Sequence, residues 1–202
     1  MLTLYGFLPS GNVYKVRLLL AQLRIPHRRV EVSQITADTA RPEFRAINPI
    51  GKVPTVVFDD GRMLSESGAI LHYLANLTRF WPPHPWDQAQ VLRWMFFEQN
   101  NHEPNIAGLR FWNMHAVPVT PLMELWAPAR RASGEAALAV MDGHLAVRSF
   151  FVGERYSIAD VALYAYTHVA PEGGFDLAPY PHLVAWLARV AGQPGHIRST
   201  RG

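Results

Sequence analysis

Residues 2–20 read Leu-Thr-Leu-Tyr-Gly-Phe-Leu-Pro-Ser-Gly-Asn-Val-Tyr-Lys-Val-Arg-Leu-Leu-Leu, and no other stretch constrains the fold as much. Leu2 to Tyr5 is apolar enough for a short strand covered on both faces. Pro9-Ser10-Gly11-Asn12 is dense in turn residues. From Val13 the apolar positions Val13, Val16, Leu19, Leu20 and Leu23 recur at helical spacing. A strand, a loop and a helix therefore follow one another directly. Ser10 and Asn12 stand where backbone N–H groups have no intrahelical partner and the helix dipole favours negative charge. Such a loop can hold an anion. The plainer alternative is that Ser10 or Asn12 only caps the helix, worth about 1 kcal/mol.

Further on, Pro26 ends the first helix, because the residue before a proline is pushed out of helical geometry. His27 to Val32 alternates weakly and reads as a second strand, so the first helix is the crossover of a parallel, right-handed βαβ unit. Gln34 to Ile47 reads as a loop with a short helix around Arg41-Pro42-Glu43-Phe44. Val53 to Phe58 is a strand with a proline at its head, where a missing N–H is tolerated. Asp59-Asp60-Gly61 is a hairpin turn, and Arg62 to Leu64 is the returning strand. Ser65-Glu66-Ser67 opens a helix carrying Ile70, Leu71, Leu74 and Leu77 on one stripe.

The pattern changes after Thr78. Phe80-Trp81-Pro82-Pro83-His84-Pro85-Trp86 is a proline-stiffened linker. Beyond it the chain reads as helical only: Asp87 to Leu109, bent or broken at Pro104; Met123 to Val147, in two parts interrupted near Pro128 and Gly134; Ser157 to His168; and Pro181 to Ala191. Ser157 and Asp160 have capping-box spacing. Gly192 to Gly202 reads as an exposed tail. The expected division is residues 1–78, a linker at 79–86, and an all-helical domain at 87–202.

Composition narrows the chemistry. None of the 202 residues is cysteine. That excludes disulfides, thiolate metal sites and a cysteine nucleophile, so any sulfur must arrive on a ligand. His102-Glu103 begins like a zinc-protease helix, but Ile106 occupies the position of the second histidine and no metal is expected. All but Lys15 and Lys52 of the 19 basic residues are arginine, and they are scattered. A net charge of +3 spread in this way suits a small anionic ligand better than nucleic acid. No apolar run reaches the ~18 residues of a membrane span, and no basic-then-apolar leader precedes Leu2. The expectation is a soluble cytoplasmic protein.

Three further motifs carry a resemblance. Gly51-Lys52-Val53-Pro54-Thr55, Glu66-Ser67-Gly68-Ala69-Ile70 and Ser157-Ile158-Ala159-Asp160-Val161-Ala162 are similar, in this order, to the proline loop, the helix start and the helical-domain cap of the cytosolic glutathione transferase family. The resemblance covers nearly the whole chain. It implies an α/β thioredoxin-like N-terminal domain followed by an all-α helical domain, with glutathione as co-substrate, a homodimer, and no nucleic-acid or membrane partner.

The resemblance also implies roles. The Val53–Pro54 bond is cis in the family, and the backbone before the proline pairs with the cysteinyl part of glutathione. Ser67 and the free N–H groups around it take the γ-glutamyl carboxylate, and Glu66 takes its ammonium. Lys52 stands where it can pair the glycyl carboxylate. Ser10 matches the catalytic serine of the serine-type classes, donating to the glutathione thiolate, and Ser10-x-Asn12 resembles a bacterial Thr-x-Asn pair. Tyr5 is the rival donor, since other classes use a tyrosine near the end of the first strand. Phe7, Leu8, Phe96, Phe97, Phe111 and Trp112 are candidates to meet a hydrophobic electrophile, although aromatic residues at helical spacing also build cores. The implied reaction is attack of the glutathione sulfur on a small electrophile. A glutathione-dependent disulfide reductase and a non-catalytic binding or interaction protein are the alternatives, because fold alone does not decide function.

Overall fold

The computed structural model describes residues 1–200. They divide into two compact units, Met1–Trp81 with the segment from Gln193 onward, and Pro82–Gly192.

The first unit opens with β1 (Leu2–Gly6), α1 (Gly11–Gln22) and β2 (His27–Glu31), and continues through α2 (Pro42–Ile47) to β3 (Thr55–Val57), β4 (Met63–Ser65) and α3 (Ser67–Ala75). The sheet order is β2-β1-β3-β4. β1 pairs in parallel with β2 and antiparallel with β3, and β3 pairs antiparallel with β4. This is the mixed thioredoxin-like sheet that the motif order implies. Its core gathers Leu2 and Leu4 of β1, Val13, Val16 and Leu20 of α1, Val56 of β3 and Ile70 of α3. Leu18, Leu19 and Leu20 are each fully buried, worth about 1.5–3 kcal/mol apiece.

Three details of this unit differ from the sequence reading. β3 runs from Thr55 to Val57 instead of Val53 to Phe58, since Pro54 has no N–H to give the ladder. α3 ends at Ala75, so Leu77 does not share its apolar stripe and lies 97% exposed.

The third difference is the C-terminal segment. It is exposed to half-buried, as expected of a tail, but it groups with the first unit and is fastened to α1. The Tyr14 hydroxyl donates to the Ile197 carbonyl at 2.6 Å, and the Arg17 guanidinium donates to the Ser199 carbonyl at 2.9 Å. Gly195, at φ +77°, lets the backbone pass where a Cβ would meet Gln22 Cα at 2.9 Å. α1 is therefore buried on nearly every side, which explains why Lys15, Arg17 and Gln22 are as hidden as its leucines.

The second unit is helical: α4 (Pro85–Phe97), α5 (Glu103–Met114), α6 (Pro121–Leu145), α7 (Ile158–Thr167) and α8 (Pro181–Ala191). A π-helical turn at Glu98–His102 separates α4 from α5, where Pro104 falls in the first turn and needs no intrahelical partner. α6 runs unbroken for 25 residues, correcting the expected interruption. Pro128 lies on its exposed side. Gly134 is a packing glycine, since a Cβ there would meet the Phe175 ring at 2.5 Å. The core is aromatic, with Phe151 between Trp94 and Trp186 at centroid distances of 4.6 and 5.1 Å. Among the described residues no helix is long and apolar enough to cross a membrane.

Candidate functional site

The loop leaving β1 is closed by the Ser10 N–H donating to the Phe7 carbonyl at 2.9 Å. Ser10 is the N-cap of α1, with its hydroxyl oxygen accepting from the Val13 N–H at 3.4 Å. That contact is longer than a good N–H···O bond. It uses a lone pair and leaves the hydroxyl hydrogen to donate elsewhere. The first turn of α1 contains no acidic side chain. Leu8, in the same loop, is fastened by its N–H donating to Glu31 Oε1 at 3.2 Å.

Asn12 is half-buried two residues further on. Its Oδ1 accepts from Lys15 Nζ at 2.7 Å and from Ser67 Oγ at 3.3 Å. The second bond joins the α1 loop to the start of α3, 55 residues away in sequence. Ser67 is 5% exposed and is the first residue of α3. Glu66 before it is the cap residue, exposed, at φ +69°. A non-glycine residue held in that region costs of order 1–3 kcal/mol, and such strain gathers at functional sites. Glu66 makes no side-chain hydrogen bond to the helix it heads.

The proline loop completes this edge. The Val53–Pro54 peptide is cis. Asn48, 2% exposed, organises the approach to it. Its Nδ2 donates to the Lys52 carbonyl at 2.8 Å and to Thr55 Oγ1 at 3.0 Å, while its Oδ1 accepts from the Ile50 N–H at 3.1 Å. Val53 is buried and the Lys52 side chain is exposed.

The first unit thus brings Ser10, Asn12 and Ser67 together and carries Lys52, Val53, Pro54 and Glu66 on the adjoining loops. Tyr5 lies mid-sheet, with its ring 6.3 Å from Phe44 of α2, as a packing residue does. Of the apolar candidates, Phe7 and Leu8 are half-buried in the β1–α1 loop. In the helical unit, Phe96 is 62% and Phe111 40% exposed, and Trp112 is half-buried. Phe97 sets its ring edge against Trp94 at 5.2 Å.

Sequence reasoning missed Lys15, Asn48 and Glu31. A signal existed for the first, because Lys15 interrupts an otherwise apolar helix in a chain with only two lysines. Asn48 stood inside the recognised loop without a role. Among the described residues there is no group of His, Asp and Glu able to hold a metal ion.

A mixed sheet with a cis-proline loop and a Glu-Ser helix start, followed by a helical unit, defines the class as thioredoxin-like with a helical second domain. The description "Glutathione S-transferase, N-terminal domain" matches residues 4–79, and "Glutathione S-transferase, C-terminal domain" matches residues 128–194. A crystal structure of a glutathione S-transferase from Pseudomonas fluorescens Pf-5 is 43% identical, covers 99% of both chains and superposes with a TM-score of 0.95. The disulfide-bond oxidoreductase YfcG of Escherichia coli (strain K12) is 31% identical over 96% of this chain and 92% of its own. A second Pseudomonas fluorescens Pf-5 family member, solved with two glutathione bound, is 26% identical with a TM-score of 0.85, covering 98% of this chain and 92% of that one. The chain belongs to the glutathione S-transferase family.

Proposed function

We propose that this protein binds glutathione along Lys52–Pro54 and Glu66–Ser67 and stabilises its thiolate at the β1–α1 loop for attack on a small hydrophobic electrophile. The observation that carries the reading is the Asn12–Ser67 hydrogen bond, which couples the thiolate loop to the corner reserved for the γ-glutamyl carboxylate. Ser10 donates its hydroxyl hydrogen to the sulfur, and the Asn12 amide adds a second donor. Lowering the thiol pKa by one unit takes only about 1.4 kcal/mol, which one hydrogen bond to a charged group supplies. Proximity of the held sulfur to the electrophile does the rest. The test is to titrate the ultraviolet absorption of bound thiolate in the wild type, Ser10→Ala, Asn12→Ala and the double variant. The pKa of bound glutathione should rise in each single variant and further in the double one. A titration unmoved in all three would end the claim that this loop is catalytic.

A second reading, glutathione-dependent disulfide reduction, is favoured by two relatives: one named a disulfide-bond oxidoreductase, the other holding two glutathione molecules. The bound thiolate would attack a disulfide, forming a mixed disulfide and releasing a thiolate, with no enzyme cysteine needed. Parallel assays with an aromatic halide and a small disulfide separate the two reactions. The same proposal makes the protein a homodimer working in the reducing cytoplasm. A sedimentation run at micromolar concentration showing monomer alone would remove the dimer.

A further inference from the structure

Asn48 stands in the loop between α2 and β3, buried, with its whole side-chain amide in use. Its Nδ2 donates to the Lys52 carbonyl and to Thr55 Oγ1, and its Oδ1 accepts from the Ile50 N–H. A carbonyl only accepts and an N–H only donates, so these partners fix which limb of the amide is nitrogen. Fully buried Thr55 sends its own hydroxyl hydrogen to the same Lys52 carbonyl at 3.3 Å, long for an O–H···O bond. Two side chains of the interior therefore hold this one carbonyl, Asn48 at 2.8 Å more firmly than Thr55.

The consequence falls on the other end of that peptide. Among the described residues only Val53–Pro54 is cis, so Lys52–Val53 is trans. In a planar trans peptide the carbonyl and the N–H leave on opposite sides. With the Lys52 carbonyl drawn to Asn48 and Thr55, the Val53 N–H is turned away from them. The plane moves only as a unit, about ψ of Lys52 and φ of Val53. Released from Asn48, it would be free to flip and to present an oxygen where it now presents a hydrogen.

We propose that Asn48 is a positioning residue for glutathione, holding the Lys52 carbonyl so that the Val53 N–H meets the cysteinyl carbonyl of the tripeptide. The inference rests on the function proposed above and deepens it. A donor already held in place loses no freedom when the ligand arrives. The donors assigned to the sulfur lie on the β1–α1 loop, away from this carbonyl. The signature of Asn48 is therefore affinity, not the thiolate.

The experiment compares Asn48→Ala, Thr55→Val and Thr55→Ser with the wild type. Glutathione affinity is read by calorimetry, the thiolate by its ultraviolet titration, turnover with an aromatic halide, and folding by thermal unfolding. Asn48→Ala should weaken glutathione binding and raise its KM about tenfold, with kcat changed less than about twofold. Thr55→Val should weaken binding about threefold, in line with its longer contact, and Thr55→Ser should recover most of that loss. Asn48→Ala and Thr55→Val combined should weaken binding by less than the product of the two, because both act through one carbonyl.

An affinity unchanged in folded Asn48→Ala, whatever its melting temperature, would overturn the proposal in favour of a loop brace. A thiolate pKa and a kcat that move in step with affinity would overturn it in favour of a role at the sulfur. Should Asn48→Ala fail to fold, Thr55→Val and the wild type still answer. In the wild type the Val53 amide proton should move downfield in magnetic resonance on saturation with glutathione, and an amide that stays put overturns the proposal. A wild type that binds no glutathione takes down the functional reading itself. One that binds it no more tightly than Asn48→Ala removes only the role of Asn48.

Discussion

Two helix starts in this chain carry a serine cap, and they have been put to opposite uses. At α7, Ser157 Oγ accepts from the Ala159 N–H at 3.3 Å, and Asp160 reaches back to the Ser157 N–H at 2.9 Å. The other Asp160 oxygen accepts from the Phe151 N–H at 3.1 Å and Trp186 Nε1 at 3.0 Å. Donors and acceptors there meet within the protein, and Asp160 is fully buried. At α1, the cap Ser10 is half-buried, and no carboxylate enters the first turn. A helix end that keeps its own carboxylate is a fastening. One that leaves the negative charge to be supplied from outside is open to an anion, which is what the proposed function asks of it.

The largest expected consequence of this contrast is at α7. Asp160→Ala would strand the Ser157, Phe151 and Trp186 donors in the interior, and should cost about 4 kcal/mol in denaturant unfolding of the whole chain. A loss below about 1 kcal/mol would mean that the capping box is not a fastening.

Next in size is a pH effect with a definite sign. Burial pushes the Asp160 carboxyl up to about 6, against the opposing hydrogen bonds from Trp186, Ser157 and Phe151. Below the ordinary carboxylate value both folded and unfolded chains hold the proton, and the contribution of this group to stability is fully present. As pH rises through about 6 the folded chain must ionise a buried group that the unfolded chain ionised earlier, so stability falls, by about 3 kcal/mol in total. Asp160→Asn should remove that slope from a pH series of unfolding curves.

At the open helix starts, the expected effects move from stability to ligand. Ser67→Ala should weaken glutathione binding by about 1.5–3 kcal/mol in calorimetry, with a smaller change in unfolding. Unchanged affinity would take Ser67 out of the site. Ser10→Ala is the smallest, about 1 kcal/mol, and what matters is where it appears. As a thiolate donor Ser10 shifts the titration of bound glutathione; as a cap alone it shifts only the unfolding midpoint.

Much of this contrast was legible in the chain itself. Ser157 and Asp160 three apart announce a capping box, and Pro9-Ser10-Gly11-Asn12 announces a loop into a helix. The bounds of α8 also follow from Pro181 and the apolar stripe behind it. The features that stayed hidden share a physical cause, in that each depends on partners far away in sequence. Lys15 reads as an ordinary helix lysine until α1 is seen covered on nearly every side. Gly134 reads as a helix breaker until Phe175 is found occupying the place of its missing side chain. Asn48 reads as a turn residue, yet it pins the Lys52 carbonyl through its side chain. The C-terminal segment is held through the carbonyls of Ile197 and Ser199, which every residue has and no side-chain pattern can advertise.

That last attachment sets an order of events during synthesis. The first unit is made from two stretches, Met1–Trp81 and a later segment from Gln193 to Thr200, with the helical unit between them in sequence. Domains made from one continuous stretch fold as they leave the ribosome, the N-terminal one ahead of the next. Here the helical unit, Pro82–Gly192, is fully synthesised before the carbonyls that receive Tyr14 and Arg17 exist. The helix headed by Ser10 and carrying Asn12 is born early and finished late, and a nascent chain stopped at Gly192 would hold every residue of the proposed glutathione site while that helix still lacked its last cover.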